Sequence, residues 1–221
     1  MKIAVIGGTG DLGEGLIKRL SIKNQVVLGS RVKDKAQTIA SELSQQVEDS
    51  TGVKPDLLGD ENAAAVSQAE ISILAVPHEY AIQTVQGLAK SFRQDSILIT
   101  PVVPMVKARN CFQYSPPTSL GFTSMAQQIA NLTTVPVVAA FHSLPAKKLA
   151  DLSVEPELDV PVCGDSEYAL EKVTDLIRGI PKLRPLMAGS LETAYMVESL
   201  TPLILNIAVK NKMRNLSLRF V

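Results

Sequence analysis

A doubly wound α/β fold of the Rossmann type is what this 221-residue sequence predicts, and three observations carry it. Short β-branched runs alternate with segments whose apolar residues recur at helical spacing, the pattern of βαβ units around a mostly parallel sheet. A glycine-rich stretch, Gly8-Thr9-Gly10-Asp11-Leu12-Gly13, falls between the first such run and the first helical pattern. The run Ile71 to Val76 is apolar at every position but Ser72, as a strand covered on both faces must be.

Lys2 to Ile6 is the first expected strand, and Leu12, Leu16, Ile17 and Leu20 mark one face of the helix after it. A strand at 25–28 and a helix at 33–46 follow, with Ala36, Ile39, Ala40 and Leu43 on the buried side. Residues 48–59 mix polar residues with Gly52, Gly59 and a Pro and read as a loop or weak strand before a short helix at 62–67. Beyond the strand at 71–76 come a helix at 78–90, a strand at 96–100 ended by Pro101 and Pro104, and an irregular loop at 114–119. A helix near 123–131, a strand at 135–141, a Pro-rich span at 152–161, a strand at 160–163, a helix at 167–178 and a strand at 183–186 complete the alternation. The last helix runs from 191 to about 210, with Pro202 as an expected kink. The expected division is a dinucleotide domain at 1–140 and a smaller part at 141–221 that completes a cleft.

Composition narrows the function. Apolar residues make up 46% and charged ones 20%, enough for a substantial core. Twenty-two basic residues balance 22 acidic ones, so no global field draws the chain to nucleic acid or an anionic membrane. Aromatics at 4%, with no Trp, argue against stacking platforms for single strands. Cys111 and Cys163 stand alone, which argues against a disulfide framework or a metal site, and both read as passive. With no apolar run of membrane-spanning length and no signal-peptide pattern, the expected compartment is the cytoplasm.

The glycine stretch is a G-x-G-x-x-G in the context that confirms it, after a strand and opening a helix. Gly8 is expected to permit the tight turn, Gly10 to admit a pyrophosphate, and Gly13 to let helix and strand pack closely. Asp11, repelled by a pyrophosphate, reads from its charge as a cap. The second strand then ends Gly29-Ser30-Arg31, where NAD sites place an acid that accepts from the ribose. No acid occurs until Asp34; Ser30 and Arg31 suit a 2′-phosphate, with Lys33 or Lys35 adding charge, so the dinucleotide expected is NADP(H).

These motifs, the prolines 101 and 104, and the runs His142 to Ala146, Asp159 to Asp165 and Glu198 to Asn206 together resemble the NADPH-dependent reductases of the 5-deazaflavin coenzyme F-420. The similarity spans nearly the whole chain, and the runs at 142 and 198 are the most specific to that family. The resemblance implies reversible hydride transfer between NADP(H) and coenzyme F-420. It implies NADP contacts at Thr9 to Leu12, Ser30, Arg31 and Lys35, with Val76 and Pro77 along the nicotinamide, and a deazaflavin packed on His142, Ser143 and Leu144. The sequence departs from the family at Asp11, where Asn is frequent, and at His78, where an aromatic is.

The residues by themselves agree in one respect. They offer no Ser/His/Asp spacing, no paired carboxylates and no metal cluster, and hydride transfer between two rings asks for little proton chemistry. His142 is the one polar participant expected near the ring. Lys147 and Lys148 are candidates for the coenzyme's anionic tail. His78 reads as a helix cap, Glu198 as a cap of the last helix or a lining of the cleft, and the run 203–209 most simply as core, with a homodimer surface second. Two other functions fit the glycine and Ser-Arg motifs: an NADPH reductase of a small imine or ketone, like pyrroline-carboxylate reductase, and a non-catalytic NADPH sensor.

Overall fold

The computed structural model describes residues 1–117 and 121–221. Eight strands form one sheet: β1 (Lys2–Ile6), β2 (Gln25–Ser30), β3 (Leu57–Glu61), β4 (Ile71–Leu74), β5 (Ile97–Thr100), β8 (Val137–Ala139), β9 (Leu158–Gly164) and β10 (Leu183–Gly189). Their order is β10-β9-β8-β5-β4-β1-β2-β3, so the strand order reverses beside β1, between β1 and β4. Pairing is parallel except between β8 and β9. The carboxyl ends of β1, β2, β4, β5 and β8 therefore share one edge, where open α/β sheets bind ligands.

Alternate strand residues feed two cores. Ile3 and Val5 face one side, Ala4 and Ile6 the other, all at most 1% exposed. The first side is covered by α1 (Asp11–Leu20), α2 (Lys33–Thr51), α6 (Ala146–Ala150) and α7 (Glu167–Arg178), through residues such as Leu16, Leu43, Leu149 and Val173. The second is covered by α3 (Asn62–Gln68), α4 (His78–Leu88), α5 (Met125–Ala130) and the start of α8 (Ala194–Lys210), through Val66, Val85, Ile129 and Val197. Both faces being covered explains the nearly unbroken apolar runs of the central strands.

The sheet runs without a break past residue 140, since β8 pairs both β5 and β9. Several expectations change. The segment at 48–59 completes α2 to Thr51 and then forms most of β3. The loop at 114–119 begins at the end of a hairpin the sequence did not signal, β6 (Met105–Ala108) and β7 (Cys111–Tyr114); residues 118–119 lie outside the described residues. The run 203–209 is not core: only Ile204 is buried, while Leu203, Ile207 and Val209 are exposed. Helix α8 continues through Pro202. Among the described residues no helix is long and apolar enough to cross a membrane.

Candidate active site

A cavity of about 610 Å³ opens at the carboxyl edge where the strand order reverses. Thr9 and Gly10 of the glycine loop, Ser30 at the end of β2 with Arg31 after it, Lys35 in the first turn of α2, and Val76 and Pro77 beyond β4 all line it. Gly7, at φ +76, makes the tight turn, and the Gly10 N–H donates to its carbonyl at 3.1 Å. That role was expected of Gly8, whose missing side chain instead makes room for Ile17 and Leu28, 2.6 and 2.9 Å from where a Cβ would stand. Gly13 admits the backbone of Gly7 and Gly8 at 2.8 Å, as expected. A Cβ at Gly10 would meet no protein atom nearer than 3.6 Å. The space above Gly10 is open, and the first turn of α1 aims its free N–H groups at it. A pyrophosphate fits there.

Asp11 is the first residue of α1 rather than its cap; Gly10 holds that position, with no side-chain capping bond. Gly8, Asp11, Leu12 and Gly13 do not line the cavity. At its far end Arg31 and Lys35 are exposed, and among the described residues neither pairs with a carboxylate. Lys33 does pair, with Asp60 at 3.2 Å, so it is spoken for. The bond from the Glu61 N–H, with Lys33, holds Asp60 below its usual range. Two unpaired cations at the end of β2, without an acid on the strand, suit a phosphate. His78 is the first residue of α4, after Pro77 in the capping position.

Beyond β8 the chemistry differs. Phe141 adopts φ +71, a strained angle for an aromatic residue, and turns the chain so that His142, Ser143 and Leu144 lie 5–7% exposed. Both ring nitrogens of His142 are buried, and among the described residues neither has a hydrogen-bond partner. Burial alone drives its pKa down to about 3, so the ring is neutral, with one N–H to give and one lone pair to receive. A buried imidazole left in this state is an orphaned polar group, and it fits a ligand that offers both an acceptor and a donor. None of the three residues lines the glycine-loop cavity.

Glu198 is fully buried on α8 and caps α5 from outside, accepting from the Met125 and Ala126 N–H groups at 3.0 and 2.9 Å. Burial outweighs these donors and pushes its pKa up to about 7. The Tyr114 hydroxyl, 2.7 Å from Glu198 and 2.8 Å from the Thr123 carbonyl, accommodates either state. It donates to the carboxylate, or accepts from the acid while donating to Thr123. Burial and the neighbouring carboxylate raise the tyrosine as well.

Comparison with known proteins shows the family. Residues 2–104 match the family model described as NADP oxidoreductase, coenzyme F420-dependent. The F420-dependent NADP reductase of Methanocaldococcus jannaschii is 34% identical over 223 residues, covering 99% of this chain and 97% of that protein. The chain belongs to the F420-dependent NADP reductase family. The reductase of Methanothermobacter marburgensis is likewise 34% identical over 226 residues. A crystal structure from Arthrobacter sp. FB24, described as a candidate F420-dependent NADP reductase, superposes with a TM-score of 0.81 at 21% identity over the whole chain, which speaks to the fold.

For a member of the F420-dependent NADP reductase family, the run Glu198 to Asn206 now has a structural meaning. Glu198 holds α5, Thr201 donates to the His142 carbonyl at 2.8 Å, and Asn206 bonds both backbone groups of Phe112 in β7 at 2.7 and 2.8 Å. The sequence showed the run and not its three targets, which lie 59 to 94 residues away. Cavity-lining Asn62, Tyr80, Gln83 and Thr84 were also missed. They stand on helical faces, and no local pattern separates a lining residue from a solvated one.

Proposed function

We propose that this chain transfers a hydride reversibly between NADP(H), bound in the glycine-loop cavity, and the deazaflavin coenzyme F-420, packed against His142, Ser143 and Leu144. Its relatives are named for that pair of substrates. The observation that carries the reading is the pairing of a phosphate-ready cavity with a buried, partnerless His142 at the same sheet edge. Bound NADPH supplies the hydride and the oxidised deazaflavin accepts it. The protein's work is holding and drying. Gly10 and the α1 N-terminus take the pyrophosphate, Ser30, Arg31 and Lys35 the 2′-phosphate, and Val76 with Pro77 the wall beside the nicotinamide. His142 fixes ring polar groups without changing its own charge, and Phe141 and Leu144 exclude water.

The boundary near residue 140 then separates the dinucleotide half from the half that completes the cleft. The exposed apolar residues Met196, Leu203 and Ile207 on α8 suit a homodimer contact, and two unpaired cysteines suit the cytoplasm. No nucleic acid or membrane partner is proposed. Mixing the protein with NADPH and oxidised deazaflavin should bleach the deazaflavin's visible absorbance catalytically. Turnover with an imine or ketone only, or tight NADPH binding without turnover, would overturn the reading in favour of the imine reductase or the sensor.

A further inference from the structure

Helix α1 carries the dinucleotide loop at its N-terminus and grips α6 further along. Gly15 is buried, and a Cβ there would stand 3.1 Å from the Leu149 Cβ and the Ala150 N and 3.2 Å from the Ala146 carbonyl. One turn later Arg19, only 7% exposed, donates from Nε to the Leu149 carbonyl at 2.9 Å and from Nη2 to the carbonyls of Asp151 and Val154, both at 2.6 Å. Residues 148–151 end a five-residue helix, whose last carbonyls have no partners within it. A buried guanidinium supplies them.

Helix α6 begins two residues after Leu144, so what holds α6 also holds the strained turn at Phe141. That turn is otherwise tied by Thr201 to the His142 carbonyl and by Ser217, from the C-terminal tail, to the Ser143 carbonyl at 2.7 Å. Those ties come from the C-terminal half. Gly15 and Arg19 instead belong to the helix whose first turn faces the pyrophosphate space, roughly 8 Å along the axis from Gly10 to Gly15 at the helical rise.

We propose that Gly15 and Arg19 are positioning residues that set the separation between the two bound coenzymes, by fixing α6 and the 142–144 segment to the helix that holds the dinucleotide. The proposal rests on reading 142–144 as the deazaflavin's seat. Hydride transfer is sensitive to such spacing, since a displacement of about 1 Å at the reacting centre can cost about a hundredfold.

The test is single-turnover hydride transfer at saturating NADPH and deazaflavin, with NADPH affinity and thermal unfolding measured beside it. Arg19→Met should slow transfer about tenfold to a hundredfold while NADPH affinity stays as it was, and Arg19→Lys should recover part of the rate. Gly15→Ala favours the α1 helix and so keeps the fold, while pushing α6 away, and should slow transfer in the same sense. Native rates in Arg19→Met and Gly15→Ala, or slowing that disappears well below the unfolding temperature, would overturn the proposal. If Arg19→Met does not fold, Gly15→Ala decides. Leu144→Ala tests the seat separately: an unchanged KM for the deazaflavin would remove the seat and the proposal together, whereas a raised KM with native transfer in the α1 variants would remove the proposal alone.

Discussion

The two halves of the sheet edge differ in what they leave open. Around the glycine loop the protein leaves space and charge: an open volume over Gly10 and the exposed Arg31 and Lys35, without a carboxylate partner among the described residues. Beyond β8 it leaves neither. His142 is neutral and sealed, and its segment is tied by Thr201 and Ser217. On the proposed reading, the difference teaches that a polyanionic dinucleotide would be held by field and backbone dipoles and a flat ring by shape, with one polar group placed in advance.

Filling the space on the first side gives the largest expected effect. Gly10→Val should abolish dinucleotide binding and leave a folded protein, because a side chain there meets the pyrophosphate's volume before it meets protein. Titration of the variant with NADPH checks this, and normal affinity would mean that the open side is not where the dinucleotide sits.

The packed side should show itself in the pH dependence of stability. Glu198 has its pKa raised from 4.5 to about 7 by burial, so the native state binds the proton more tightly than the unfolded chain. That stability is complete below about pH 4.5 and lost as the pH rises through about 7, a change of about 3 kcal/mol at 1.36 kcal/mol per unit. His142 works the other way. Its pKa is lowered from 6.5 to about 3, so its contribution is complete above pH 6.5 and lost as the pH falls. The two nearly cancel between pH 5 and 6.5. Chemical denaturation across this range should give a flat profile for the native protein, and Glu198→Gln should turn it into one that rises with pH. A variant profile as flat as the native one would break the account of Glu198.

On the charged side, Arg31→Ala should weaken NADPH binding by about 1.5 to 3 kcal/mol and barely touch NADH. Equal losses for both would show that Arg31 does not read the 2′-phosphate. The smallest effect sharpens the comparison at its border. Lys147 and Lys148 are exposed on α6, next to the packed segment, where the deazaflavin's anionic tail would emerge. Replacing both with Ala should raise the deazaflavin KM and flatten its salt dependence, since exposed charges are screened over about 8 to 10 Å. Kinetics unchanged across salt concentrations would mark them as solvated surface.

How much was legible in the sequence divides along the same line. Thr9, Gly10, Ser30, Arg31, Val76 and Pro77 were readable as cavity lining because each stands at or just beyond the end of a strand, where local pattern fixes position, and Lys35 follows in the first turn of α2. The hairpin at 105–114 was not, because its strands are half exposed and pack on α8 through Asn206, far along the chain. The turn role passed from Gly8 to Gly7 because spacing finds a glycine motif without revealing which member takes the positive φ. Glu198 read from the sequence as a cap of the last helix or a lining of the cleft; it caps α5 instead, since its partners at Tyr114 and α5 come from elsewhere in the sequence.

Whether one edge holds two coenzymes by two different means, as proposed, is tested most directly by His142→Leu. Because neither ring nitrogen has a hydrogen-bond partner among the described residues, an apolar replacement of similar size removes an unsatisfied group and should leave stability unchanged or higher. Two-substrate kinetics on this variant should show a raised deazaflavin KM, or lost turnover, with the NADPH dissociation constant unaltered. A stable His142→Leu protein with native kinetics toward both coenzymes would contradict the claim.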